Sequence, residues 1–148
     1  MTKLGEGQFG QVYLIKERRL GSLFALKSIN KSDIIKEGME ESVLSEREIL
    51  KNIHHPLIVG YYKSFEDQKS IYLLLEYIHG IEMYYAIREI GILTKSMSRF
   101  YFGSVLLAIE YLHSESIIYR DVKPENCIVN SEGKVLLIDL GTAKILKR

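Results

Sequence analysis

One cysteine, two prolines and no long apolar run are the shortages that first narrow the class of this 148-residue chain. The lone thiol, Cys127, cannot close an internal disulfide, a usage that fits a reducing compartment such as the cytoplasm. Pro56 and Pro124 stand far apart, so no Pro-rich linker divides the chain, and no repeat or low-complexity tract is present. The opening residues MTKLGEGQFG hold neither an apolar run nor a cleavage pattern, so no signal peptide is expected. Apolar stretches such as 71–75 and 105–109 are far too short to span a bilayer. Twenty Lys and Arg against 19 Asp and Glu leave a net charge of +1, which gives no electrostatic case for nucleic acid or an anionic membrane. What remains is globular: 47% hydrophobic and 26% charged residues allow a packed core and argue against disorder.

The first part of the chain alternates as strands do. Residues 11–17 place Val12 and Leu14 on one face, and residues 22–29 set Phe24, Leu26 and Ser28 opposite Leu23, Ala25 and Lys27. Leu20-Gly21 is a hairpin turn between them. Met39, Val43, Glu46, Leu50 and Ile53 recur at spacings of four and three, one face of a helix. Strand patterns follow at 58–65 and 70–77, then a short helix over 82–90 stopped by Gly91. Thr94 is the expected N-cap of a long helix reaching His113. Asn130-Ser131-Glu132-Gly133 joins two short strands, 127–129 and 134–138. Strands first with one helix inserted, then mainly helix, indicate an α+β chain in two lobes rather than alternating βαβ units.

Gly5-Glu6-Gly7-Gln8-Phe9-Gly10 matches G-x-G-x-x-G. In a dinucleotide site this pattern opens a helix whose N-terminus meets phosphate. Here it runs into the strand pattern Gln11-Val12-Tyr13-Leu14-Ile15, so that reading fails on context. A glycine-rich hairpin can instead lay its backbone over a triphosphate, although a plain surface turn would also use such glycines. Glu46 sits on an apolar helix face, where a carboxylate is costly unless a cation meets it, and Lys27 is the natural partner. The plain alternatives are a solvated strand lysine and a Glu46 that reaches water at the helix edge.

The segment Ile117-Ile118-Tyr119-Arg120-Asp121-Val122-Lys123-Pro124-Glu125-Asn126 presents three functional groups from an irregular loop. Phosphoryl transfer needs a carboxylate for the acceptor hydroxyl, a cation on the developing phosphate charge and oxygen ligands for Mg²⁺. Asp121, Lys123 and Asn126 suit those jobs in turn. Asp139, where the strand pattern 134–138 ends, adds a second hard oxygen ligand. Each alone would pass for a loop or cap residue; together, in this order, they do not.

From Gly5 to Lys144 the chain resembles the eukaryotic protein kinases, through the glycine loop, Lys27, Glu46, Tyr119–Asn126 and Asp139-Leu140-Gly141. The resemblance implies a protein-kinase-like α+β fold: an antiparallel N-lobe sheet with one helix over 1–77, a hinge over 78–82, and from 83 to 148 the beginning of a mainly helical, incomplete C-lobe. It implies ATP and Mg²⁺ as cofactors. It gives Lys27 to the α- and β-phosphates, Glu46 to Lys27, Asp121 to the catalytic base, Lys123 to the γ-phosphate, and Asn126 and Asp139 to the metal. The nucleotide would also meet Leu4, Gly5, Gly7, Phe9, Gly10, Val12, Ala25, the gatekeeper Leu75, hinge backbone at Glu76 and Ile78, and Glu82, Glu125 and Ile128. Tyr119 with Lys123-Pro124-Glu125, and the stretch from Tyr84 to His113, look similar to the cyclic-nucleotide-dependent kinases, and among them to cyclic-GMP-dependent kinases of protists. In that group Glu82 and Glu125 would meet basic side chains of Ser/Thr substrates, whereas the plain reading of Glu82 is a helix-start carboxylate. A cyclic-nucleotide-binding regulatory region would then lie outside this chain.

Leu140 departs from the family's usual Phe but stays apolar, and Cys127 reads as a small buried hydrophobe. The four histidines show no metal-ligand grouping. The chain stops at Arg148, soon after Asp139-Leu140-Gly141, so the helix over 94–112 is expected to bare an apolar face. By itself the chain is then expected to aggregate and to transfer phosphate negligibly. The competing reading is a non-catalytic nucleotide-binding or decoy module derived from a kinase.

Overall fold

The chain forms two compact units, residues 1–51 with 60–77, and residues 52–59 with 78–148. The structure, a computed structural model, describes residues 1–7 and 10–146.

The first unit is an antiparallel sheet. Its strands are β1 (Thr2–Gly7), β2 (Gly10–Lys16), β3 (Leu23–Asn30), β4 (Tyr61–Glu66) and β5 (Ser70–Glu76), in the order β1-β2-β3-β5-β4 among the described residues. Turn chemistry fixes the hairpins. Gly21 takes φ +74° between β2 and β3, a backbone open to glycine at little cost. The Asp67 carboxylate accepts the N–H groups of Lys69 and Ser70 at 2.8 Å to close β4 on β5. Ile29, Leu26, Leu73 and Leu75 fill the sheet's buried positions.

Two helices follow β3 among the described residues, where the sequence pattern indicated one. The first, α1 (Lys31–Glu37), is capped by the Asn30 side chain on Ser32 N–H and ends at Gly38, whose φ is +64°. It buries only Ile34, and one apolar contact in seven residues leaves no period to detect. The second, α2 (Glu40–Asn52), buries Val43, Glu46, Ile49 and Leu50, the face that the spacing indicated. The strand pattern at 58–65 also shifts. Pairing starts at Tyr61, while Ile58, itself part of the second unit, bridges to Leu137: Val59 N–H donates to the Leu137 carbonyl at 2.8 Å and Leu137 N–H to Leu57 O at 2.9 Å.

In the second unit, β6 (Gly80–Glu82) leads into α3 (Met83–Ile90), and α4 (Lys95–Ser114) precedes β7 (Ile117–Ile118). A 3-10 turn at Pro124–Asn126 then opens β8 (Cys127–Asn130), followed by β9 (Val135–Leu137) and β10 (Lys144–Ile145). The order β6-β8-β9 makes a small antiparallel sheet, and β10 pairs with β7. The last three residues of the stretch read as a hinge are thus a strand. Gly80 is required there, since a Cβ would lie 2.2 Å from Val129 O. Thr94 caps α4 through Met97 N–H at 3.2 Å, as expected. Leu112, Ala108, Tyr119, Cys127, Val135, Leu137 and Leu140 are each at most 2% exposed and form this unit's core.

The outer side of α4 is apolar: Phe100, Phe102, Leu106 and Leu107 are 52%, 71%, 54% and 54% exposed. Single exposed apolar residues are ordinary, but four on neighbouring turns of one helix drive association. Phe102→Glu with Leu106→Glu is therefore expected to move the 148-residue chain from large species toward a monomer. Light scattering after size exclusion checks it, and a monodisperse monomer without the substitutions would refute it. Among the described residues no helix is long and apolar enough to cross a membrane.

Candidate active site

Strand register gathers the first group of candidate residues. Val12 pairs opposite Lys27, Ala25 opposite Leu75, and Lys27 opposite Leu73. Directly opposed residues, and residues two apart in one strand, share a face. Val12, Ala25, Lys27 and Leu75 therefore line one face of the sheet. Lys27 extends its ammonium to Glu46 of α2, with Nζ 2.6 Å from Oε1, and the two side chains are 14% and 4% exposed. A carboxylate so deeply buried is tolerable because a cation meets it.

The glycines divide by role. At Gly10 a Cβ would stand 1.8 Å from Ser28 O, so the close approach of β3 demands glycine there. Gly5 has nothing within 4 Å of its would-be Cβ, so packing does not explain it. Leu4, Gly5 and Gly7 lie in β1, while Phe9 falls outside the described residues. Glu76 ends β5 exposed, and its N–H is already engaged by Gly60 O at 2.8 Å. Ile78 is 8% exposed.

The second group surrounds Asp121. Its Oδ2 accepts from Lys123 Nζ at 2.8 Å and from Asn126 Nδ2 at 2.9 Å, and Asn126 also donates to Asp121 O at 3.0 Å. Pro124 starts the 3-10 turn that brings Asn126 back over Asp121. Asp139 comes alongside because Ile138 N–H donates to Asn126 O at 3.0 Å. Its Oδ1 accepts Gly141 N–H at 3.0 Å. Leu140, the residue that departs from the family pattern, is fully buried.

The carboxyl of Asp121 is held below its usual range, first by the hydrogen bond from Lys123, with burial opposing and Asn126 assisting. The Lys123 ammonium is held above its usual range by the same contact. A lowered carboxyl pKa keeps Asp121 ionised as pH falls. Lys123→Met is expected to move the Asp121 carboxyl titration, followed by NMR, to higher pH. An unmoved titration would remove Lys123 from this role.

Hard oxygen donors fit Mg²⁺, and Asn126, whose amide nitrogen is engaged by Asp121, offers its carbonyl oxygen. Among the described residues no three His, Cys, Asp or Glu side chains cluster as a metal cage. Asp139 and Asn126 are a sparse set, suited to an ion that keeps waters and bridges phosphates.

Glu82 ends β6 directly opposite Ile128 and occupies the N-cap position of α3 without capping it through its side chain. Burial, and then the nearby Glu125 carboxylate, push its pKa up. The Cys127 thiol is pushed up to about 11, mainly by burial, and donates to Lys123 O at 3.6 Å, so it behaves as packing rather than as a nucleophile.

Two contributors escaped the sequence reading. Arg120 adopts φ +72°, and its Nε donates to Thr142 O at 2.6 Å, while Thr142 Oγ1 donates to Tyr119 O at 3.1 Å. These bonds lash the loop from Tyr119 to Asn126 to the segment after Asp139. A left-handed arginine costs about 1–2 kcal/mol, and no sequence signal announces it. Tyr119 is 1% exposed, and its hydroxyl, near the Asn126 side chain, makes no well-formed hydrogen bond among the described residues. Burial, followed by the Asp139 charge, holds that phenol protonated far above its usual range.

A model of the protein kinase domain matches residues 1–148. The chain is 41% identical over 142 residues to the probable serine/threonine protein kinase IRE of Arabidopsis thaliana, covering 96% of the chain and 12% of that relative. It is 40% identical over 141 residues to the cAMP-dependent protein kinase catalytic subunit of Dictyostelium discoideum, covering 95% and 22%. Against the cGMP-dependent protein kinase of Plasmodium berghei the identity is 44% over 141 residues, covering 95% and 16%. The chain thus spans less than a quarter of the length of each of these three relatives.

Proposed function

Because this chain belongs to the protein kinase family, on its serine/threonine branch, we propose that it transfers the γ-phosphate of ATP to serine or threonine hydroxyls flanked by basic residues. The observation that carries this reading is the arrangement about Asp121, one carboxylate oxygen shared by Lys123 and Asn126. Such a carboxylate is fixed in direction and ionised, which is what a base for a hydroxyl needs. Lys123 is already at hand to follow the charge that develops on the transferred phosphoryl group.

In this reading Lys27, anchored by Glu46, holds the α- and β-phosphates. The glycine loop covers the triphosphate, with Leu4, Gly5, Gly7, Phe9, Gly10 and Val12 near the nucleotide. Ala25, Leu75, Ile78 and Ile128 enclose the base, Glu76 contributes backbone, and Glu82 reaches the ribose. Asn126 and Asp139 would hold Mg²⁺, which would supply charge neutralisation at the phosphates. Asp121 orients the acceptor hydroxyl and takes its proton, while Glu82 and Glu125 receive basic substrate side chains. The names of the Dictyostelium and Plasmodium relatives support a place in the cyclic-nucleotide-dependent group, with a regulatory region outside these 148 residues; the lone cysteine suits a cytoplasmic setting.

The test is transfer from Mg-ATP to a basic serine peptide by the full-length product that carries this chain, and its loss on Asp121→Asn. Nucleotide binding without transfer in the unsubstituted protein would favour the non-catalytic module instead.

A further inference from the structure

The turn between β2 and β3 reads Arg18-Arg19-Leu20-Gly21-Ser22. No other serine or threonine of the chain has an arginine within its four preceding residues, and Ser22 has two. Arg18, Arg19 and Ser22 are exposed, and Leu20 is 87% exposed. Neither guanidinium is in an ion pair among the described residues, and no hydrogen bond ties down the Ser22 hydroxyl there. In the second unit Glu82 and Glu125 form the opposite arrangement, two neighbouring carboxylates without an ion pair among the described residues.

We propose that Ser22 is a phosphoacceptor for this protein's own reaction, presented by one copy of the chain to another through Arg18 and Arg19. The inference rests on the preceding reading that acceptors lie beside basic residues. Arginine suits a carboxylate pair because its planar fork donates several directed, charge-assisted hydrogen bonds. A peptide must lie extended to be read in this way, and the turn can yield. Its closure depends on Glu17 N–H to Ser22 O at 2.8 Å and Gly21 N–H to Glu17 O at 3.1 Å, both at an exposed hairpin end. The Glu17 carboxylate adds bonds from the N–H groups of Arg19 and Leu20 at 2.9 Å and 2.5 Å. Such ends open locally without global unfolding.

In the step, Ser22 Oγ bonds to the γ-phosphorus of ATP as the bond from that phosphorus to the β,γ-bridging oxygen breaks. The hydroxyl proton passes to Asp121 of the copy acting as enzyme, and ADP leaves. The product places nearly two negative charges beside Arg18 and Arg19.

The experiment mixes active full-length protein with an Asp121→Asn copy, both dephosphorylated, in Mg-ATP, and maps phosphate by mass spectrometry. An unrelated peptide with two arginines shortly before a serine is assayed in parallel. Phosphate is expected on Ser22 of the inactive copy, absent in Ser22→Ala and slowed about tenfold by Arg18→Ala with Arg19→Ala. If the peptide is phosphorylated but Ser22 is not, the inference falls and the substrate reading stands. If neither accepts phosphate, the substrate reading falls and takes the inference with it. Ser22 labelled at an unchanged rate in the double-alanine variant overturns recognition through the arginines.

Discussion

Asp121→Asn is expected to lower the kcat of peptide phosphorylation by about 10²–10⁴-fold, with little change in the KM for ATP. The substitution preserves size and leaves an oxygen that can still accept from Asn126, so the loop has no steric reason to move. What disappears is the negative charge that Lys123 holds ionised at 2.8 Å. An amide cannot take a proton from the acceptor hydroxyl, and it orients that hydroxyl more weakly. An interaction made chiefly in the transition state lowers kcat and kcat/KM together. A loss confined to KM would instead mark Asp121 as a binding residue. Unchanged turnover would end its assignment as base.

The next largest effect is expected at Lys27. Lys27→Met should destabilise the first unit by about 3–5 kcal/mol, because Glu46, only 3% exposed, loses the cation 2.6 Å away. Changing both residues, as in Lys27→Met with Glu46→Met, should recover at least half of the loss, since a buried ion pair replaced by apolar groups often costs little. Urea unfolding measures both, in the Phe102→Glu, Leu106→Glu background so that self-association does not intrude. The coupling of the pair follows from the double-mutant cycle. Nucleotide affinity should fall in all variants lacking Lys27. A single variant within about 0.5 kcal/mol of the parent would show that Glu46 tolerates its burial by other means.

Elements with strong local signals were legible from the chain alone. Thr94 before an apolar period marked the start of α4, and Leu20-Gly21 marked the turn after β2. The spacing Val43, Glu46, Leu50 placed a carboxylate on a buried face and so asked for Lys27. Short or non-local elements were not legible. The seven residues of α1 are held by Asn30 and Gly38 rather than by any period. The strands β6, β7 and β10 have two or three residues each and exist only because partners far along the chain pair with them. The start of β4 shifted because Ile58 and Val59 found partners at Leu137, a choice no local pattern encodes.

The sequence by itself determined which functional groups this protein can bring to phosphate chemistry, because their types and order along the chain are covalent facts. Tertiary structure decided what each group is in place. Only the folded loop makes one oxygen of Asp121 shared between Lys123 and Asn126, and only strand register brings Val12 and Leu75 to the face that Ala25 shares with Lys27. The left-handed Arg120 and the glycine demanded at position 10 by the carbonyl of Ser28 belong to the same class. The physical reason is range. Caps, turns and periods act within a few residues, whereas hydrogen-bond direction, burial and the resulting pKa shifts depend on neighbours that meet only once the chain has closed on itself.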